Sequence, residues 1–144
     1  MDERARRPMP WQGEWPVIGA VAVGGALGAA ARYGAGLLRP TADAGFPWTT
    51  LVINVVGCAL MGVLMVLISE VWTAHRLLRP FLGTGILGGF TTFSAYAVDV
   101  QRLVSAGRLP LALAYLAGTL IAAMAAVALA GAATRALLGL RRPA

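Results

Sequence analysis

The chain has 144 residues, of which 58% are hydrophobic and 12% charged, and its formal net charge is +6. A soluble domain of this length needs a more polar surface, so the composition excludes one and points to an integral membrane protein. All twelve basic residues are arginines, and they flank apolar runs, which ties them to lipid headgroups and topology rather than to nucleic acid.

Residues 1–16, MDERARRPMPWQGEWP, read as a short tail with interfacial tryptophans. Arginines ahead of an apolar run also fit a signal peptide. The run from Val17 to Leu38 is long, glycine-rich and interrupted by Arg32, so it is read as a retained span. Four spans are expected near residues 17–38, 49–69, 78–98 and 110–134. Each is about twenty residues, the length that crosses a hydrocarbon core about 30 Å thick. Pro40, Pro47, Pro80 and Pro110 mark the boundaries, and Trp48 and Trp72 sit at span ends where aromatic belts belong. The expected organisation is a tail (1–16), a four-helix transmembrane domain (17–138) and a second tail (139–144). The termini and the second loop share one side, with Arg4, Arg6, Arg7, Arg76, Arg79, Arg135, Arg141 and Arg142; the other side holds Arg39, Arg102 and Arg108. The positive-inside rule then places both termini in the cytoplasm.

Polar groups within the spans come next. In the first, Arg32 either snorkels to the interface or supplies positive potential to an anion path; its position alone fits both. Gly24 and Gly28 form a GxxxG pair that allows close helix contact. In the second span Asn54 must find partners in hydrocarbon, through an interhelical hydrogen bond or a polar cavity. Gly57 can admit another helix there, and Cys58, the single cysteine, reads as a small packing residue.

The third span contains GTGILGGFTTFSAYAV, residues 83–98. Glycines at 83, 85, 88 and 89 lower its helix propensity and predict a broken helix. A break frees backbone carbonyls, which are tolerated in a membrane only where protein, water or an ion satisfies them. Thr91, Thr92 and Ser94 add hydroxyls. Phe93 and Tyr96, three apart, share a face of a resumed helix, either as packing or with their positive ring edges toward an anion. On the fourth span Tyr115 and Thr119 are four apart and form a polar stripe, or bond locally. No enzyme emerges. His75 is the only histidine and lies in an expected loop, and Asp2, Glu3, Glu14, Asp43, Glu70 and Asp99 fall in tails, loops or span ends. The lack of a mid-membrane carboxylate argues against a proton-coupled exporter.

GALGAAARY, TLVINVVGCALMG and GTGILGGFTTFSAY, in that order, resemble conserved segments of the Fluc/CrcB fluoride channels. The resemblance runs from about Gly24 to Thr119, and its most specific element is GGFTTFS at 88–94 with Asn54 upstream. It implies four-helix subunits in an antiparallel dimer that passes fluoride passively through two pores. It also implies one structural sodium ion at the dimer interface, held by backbone carbonyls at Gly88 and Thr91. Asn54, Phe93, Ser94, Tyr96, Tyr115 and Thr119 map to the pore, and Arg32 to the first-span arginine. Tyr96 stands where the family has a second phenylalanine, Ala95 replaces a threonine and Thr49 a glycine. The arginine asymmetry leaves a heterodimer with a homologue open beside a homodimer. The resemblance implies a bacterial inner membrane as the location. Two other readings fit the same residues: a small-solute transporter with a broken-helix binding site, and a non-transporting scaffold whose glycines serve packing. Fluoride itself is small and strongly hydrated, so stripping its water calls for dense hydrogen-bond donors along a narrow path.

Overall fold

The computed structural model describes residues 13–38, 45–72 and 76–140. The tail up to residue 12, Arg39, Pro40, Asp43, His75 and residues 141–144 lie outside them. Helix α1 is Trp15–Leu38 and α2 is Trp48–Val71, with its last turn, Leu67–Val71, widened to π geometry. Helix α3 covers residues 80–90 and has π-type turns over Pro80–Leu87; α4 is Ser94–Ser105 and α5 is Leu109–Leu137. No strand occurs among the described residues.

Local chemistry explains the boundaries. Pro80 opens α3 where its missing N–H is no loss. Gly83 and Gly85 weaken ordinary α geometry, and the Gly88 N–H reaches five residues back to the Gly83 carbonyl. Between α4 and α5 the chain reverses through Gly107 at φ 72°, a left-handed conformation that other residues adopt at a cost. Trp15–Leu38, Trp48–Val71, Pro80–Ser105 and Leu109–Leu137 are each long and apolar enough to cross a membrane. The protein is therefore an all-α, multi-pass membrane protein with four such segments. The third runs on past the expected residue 98 to Ser105, with Asp99 near its end.

Two helix pairs build the bundle. Gly24 faces Phe81 and Gly85 while Gly28 faces Ile86 and Phe90, so α1 and α3 run parallel. A Cβ at Gly28 would overlap the Ile86 carbonyl, which is why the GxxxG pair is needed there. Gly62 faces Val127 and Gly131, and Arg135 Nε donates to Glu70 Oε1 at 2.7 Å, so α2 and α5 also run parallel. Four alternating crossings require both directions. At one end Leu103, Ala112 and Tyr115 form a small buried core beneath Phe46 and Tyr96. The outer faces stay apolar and open at Leu27, Leu120, Ile121 and Met124. Lipid or a second subunit is the natural cover for such faces.

Candidate functional site

The helical course of the third span stops at Phe90. Thr91 is extended, with φ −73° and ψ 157°, and α4 starts at Ser94. Side chains take over the backbone groups that the interruption displaces. The Thr92 N–H, which a continuous helix would send to the Gly88 carbonyl, donates instead to Asn54 Oδ1 at 2.8 Å. Asn54 Nδ2 donates back to the Thr92 carbonyl at 3.0 Å. The Ala95 N–H, which would reach the Thr91 carbonyl, donates to Thr92 Oγ1 at 3.1 Å and so caps α4. The Gly88 and Thr91 carbonyls are thereby released from the helical pattern.

Contacts from α1, from α2 and within the third span itself hold the interruption in place. Arg32 Nε donates to the Gly89 carbonyl at 3.1 Å, and Thr91 Oγ1 donates to the Leu87 carbonyl at 3.0 Å. The Thr91 methyl sits against Gly57, where a Cβ would overlap it. Each buried amide left without such a partner would cost about 1–3 kcal/mol.

One face of the interruption opens on a 310 Å³ cavity lined by Asn54, Cys58, Thr91, Thr92, Phe93, Tyr96, Thr119, Leu120 and Ala123. Phe93 is 79% exposed, and its ring centroid lies 5.7 Å from that of Tyr96 at 54°. The Tyr96 hydroxyl donates to the Leu116 carbonyl at 2.6 Å, which ties α4 to α5. Thr119 is 4% exposed, and its hydroxyl has no hydrogen-bond partner among the described residues.

A second cavity, of 460 Å³, shares Thr92 with the first and is lined by Arg32, Tyr33, Thr49, Thr50, Ala95, Asp99 and Arg102, among others. Asp99 is 7% exposed. Its Oδ2 accepts from Thr50 Oγ1 at 2.6 Å and from the Tyr115 hydroxyl at 3.4 Å, and Arg102 Nη1 lies 3.6 Å from its Oδ1. Asp99 is thus buried near the end of the third helical segment. Asp99 is viable there because it gathers two hydroxyls and a guanidinium.

Of the residues singled out in the sequence, Asn54, Phe93, Tyr96 and Thr119 meet at one cavity. Ser94 is exposed beside it, with its Oγ 3.3 Å from Thr92 Oγ1. Tyr115 does not line the cavity but is fully buried behind it, with its ring centroid 5.4 Å from that of Tyr96 and edge-on to Phe46 at 5.4 Å. Arg32 is half-buried and does two things at once, bonding the interruption and lining the second cavity. Cys58 is half-buried and lines the first cavity. Sequence reasoning missed Thr50, Thr92 as a cap, and Asp99. Asp99 falls three residues after Tyr96, and that helical spacing was the one available signal.

An interrupted spanning helix beside cavities that hold a few polar side chains is an architecture that bilayer proteins use for passing ions or small solutes. The comparisons narrow that class. The family model described as "CrcB-like protein, Camphor Resistance (CrcB)" matches residues 19–139. The chain is 64% identical over 116 residues to "Fluoride-specific ion channel FluC 2" of Streptomyces avermitilis, covering 81% of this chain and 73% of that protein. It is 59% identical over 132 residues to "Fluoride-specific ion channel FluC 1" of Streptomyces coelicolor, covering 92% and 86%. It is 49% identical over 126 residues to "Fluoride-specific ion channel FluC 2" of Nocardia farcinica, covering 88% and 90%. The chain belongs to the CrcB family.

Proposed function

We propose that this protein is a fluoride-selective ion channel that lets fluoride leave the cytoplasm passively. The observation that carries the reading is the meeting of Asn54, Phe93, Tyr96 and Thr119 at the interruption of the third span, in a chain 49–64% identical to proteins named fluoride-specific ion channels. Fluoride accepts hydrogen bonds strongly, and a narrow path can replace its water with fixed donors. The Thr119 hydroxyl is uncommitted among the described residues. Asn54 commits one amide hydrogen to Thr92 and keeps a second. The Phe93 and Tyr96 rings add positive edges. Arg32 and Arg102, at the neighbouring cavity, favour anion entry and offset Asp99. These groups conduct and do no covalent chemistry; the protein is not an enzyme.

The working unit in this proposal is an antiparallel homodimer in the cytoplasmic membrane. Supporting it are the 79% exposure of Phe93 and the open apolar faces of α1 and α5, which a second subunit would cover. The released carbonyls of Gly88 and Thr91 fit a structural sodium ion, because they are hard oxygen donors freed in pairs by Asn54 and Thr92. Two subunits would supply four such oxygens at the dimer axis. When bound, the ion would satisfy these carbonyls and add positive charge beside both paths.

The test is flux from liposomes. Protein is reconstituted with potassium fluoride inside, valinomycin balances charge, and a fluoride electrode records release. Rapid fluoride release, with none of chloride in a parallel potassium chloride experiment, is the expected result. Saturable flux coupled to a second ion would point to a transporter, and no flux from folded dimers would overturn the reading.

A further inference from the structure

Cys58 is the only cysteine of the chain and is half-buried. It lies one helical turn beyond Asn54 on α2, so the two side chains share a face. That face is one wall of the 310 Å³ cavity, which Phe93 and Thr119 also line.

The polar groups of this cavity are unevenly satisfied. The Asn54 carbonyl and one of its amide hydrogens are committed to Thr92. The Thr119 hydroxyl is not committed, although the residue is only 4% exposed. A threonine on a helix can bond back to the preceding turn, as Thr134 does to the Ala130 carbonyl at 2.7 Å. Thr119 makes no such bond among the described residues. A buried hydroxyl left unpaired costs about 1–3 kcal/mol unless a polar occupant reaches it. The cavity that Thr119 and Cys58 both line is where such an occupant would sit.

We propose that Cys58 is a wall residue of the anion path and a binding site for soft monovalent metal cations such as Ag⁺, whose capture closes the path. This rests on the fluoride-channel reading above. The step is a ligand exchange without redox change. The Cys58 S–H bond breaks, its proton goes to water, and the sulfur electron pair forms the S–Ag bond. One positive charge leaves as another arrives, so the net charge of the site is unchanged. The block is steric, added to the loss of the S–H donor. Thiolate sulfur selects soft metals over the hard potassium and sodium ions around it.

The experiment measures fluoride release from potassium fluoride liposomes in chloride-free nitrate medium, with and without micromolar silver nitrate. Intact-mass measurement of the folded protein counts bound silver. Wild-type release falls at least about tenfold, a barrier rise of about 1.4 kcal/mol or more, and excess dithiothreitol restores it. Cys58→Ser and Cys58→Ala, whatever their own rates, release fluoride equally with and without silver and bind none. Undiminished wild-type release in silver overturns the proposal, as does equal slowing of both variants. If wild-type protein releases no fluoride even without silver, the channel reading fails, and the block proposed here falls with it. The mass measurement then still decides the metal site: one silver on wild type and none on the variants keeps it, and any other pattern removes it.

Discussion

Asn54 and Thr92 are joined by a reciprocal pair of hydrogen bonds, 2.8 Å to the Thr92 N–H and 3.0 Å to its carbonyl. A carboxamide carries a donor and an acceptor in one plane, so one side chain on α2 stands in for both bonds that the interrupted helix has lost at that residue. The clamp makes Asn54 a determinant of backbone shape as well as a wall of the cavity. Asn54→Leu, similar in volume, is expected to leave both Thr92 groups unpaired and to destabilise the protein by on the order of 2 kcal/mol or more. Asn54→Asp keeps the acceptor and falls between the two. Thermal unfolding in detergent measures the order, and a leucine variant as stable as wild type would remove the clamp from the account.

Phe93 offers the opposite case. It is 79% exposed within the subunit, so its packing there contributes little to subunit stability. Phe93→Ile is expected to abolish fluoride flux while the subunit folds and assembles normally. Size-exclusion chromatography checks assembly and the fluoride electrode checks flux. Wild-type flux in this variant would remove the ring from the path.

Thr92 caps α4 through its hydroxyl, which accepts the Ala95 N–H at 3.1 Å. Thr92→Val keeps the shape and loses the acceptor, at an expected cost of about 1 kcal/mol. Thr92→Ser keeps the acceptor and should recover most of that loss. Unfolding midpoints of the two variants, measured side by side, separate hydroxyl from volume.

Gly28 and Gly34 lie on the same helix and should respond differently. A Cβ at Gly28 would overlap the Ile86 carbonyl, a backbone atom that cannot move aside cheaply, whereas at Gly34 nothing lies within 4 Å. Gly28→Val is expected to part α1 from α3 and lower the yield of folded protein, with a cost of about 1–3 kcal/mol or more. Gly34→Ala should be neutral or stabilising by up to about 1 kcal/mol. Expression level and monodispersity report both.

If Gly88 and Thr91 hold sodium, replacing it with N-methyl-glucamine throughout purification is expected to lower the thermal midpoint and the flux together. Returning sodium, but not the larger potassium ion, should restore both. A protein indifferent to sodium would leave the released carbonyls to water.

Much of this was legible in the sequence because hydrocarbon imposes simple demands. Four apolar runs of about twenty residues can only be spanning helices, since every backbone group must be paired within the segment. The glycines at 83, 85, 88 and 89 announced a weak point in the third run for the same reason. The close contact at Gly28 and the need of Asn54 for a partner followed from residue type alone: one has no side chain to obstruct a neighbour, and the other has an amide that must be paired; the cavity role of Asn54 came only with the family resemblance. Tertiary structure decided the rest, because those partners lie far apart in the chain. Asn54 and Thr92 are 38 positions apart, and Arg32 and Gly89 are 57. No local pattern says which carbonyl an amide or a guanidinium will meet. Asp99 shows the limit most clearly. A carboxylate near the end of an apolar run looks like an exposed boundary residue, and only the fold buries it against Thr50 and Tyr115.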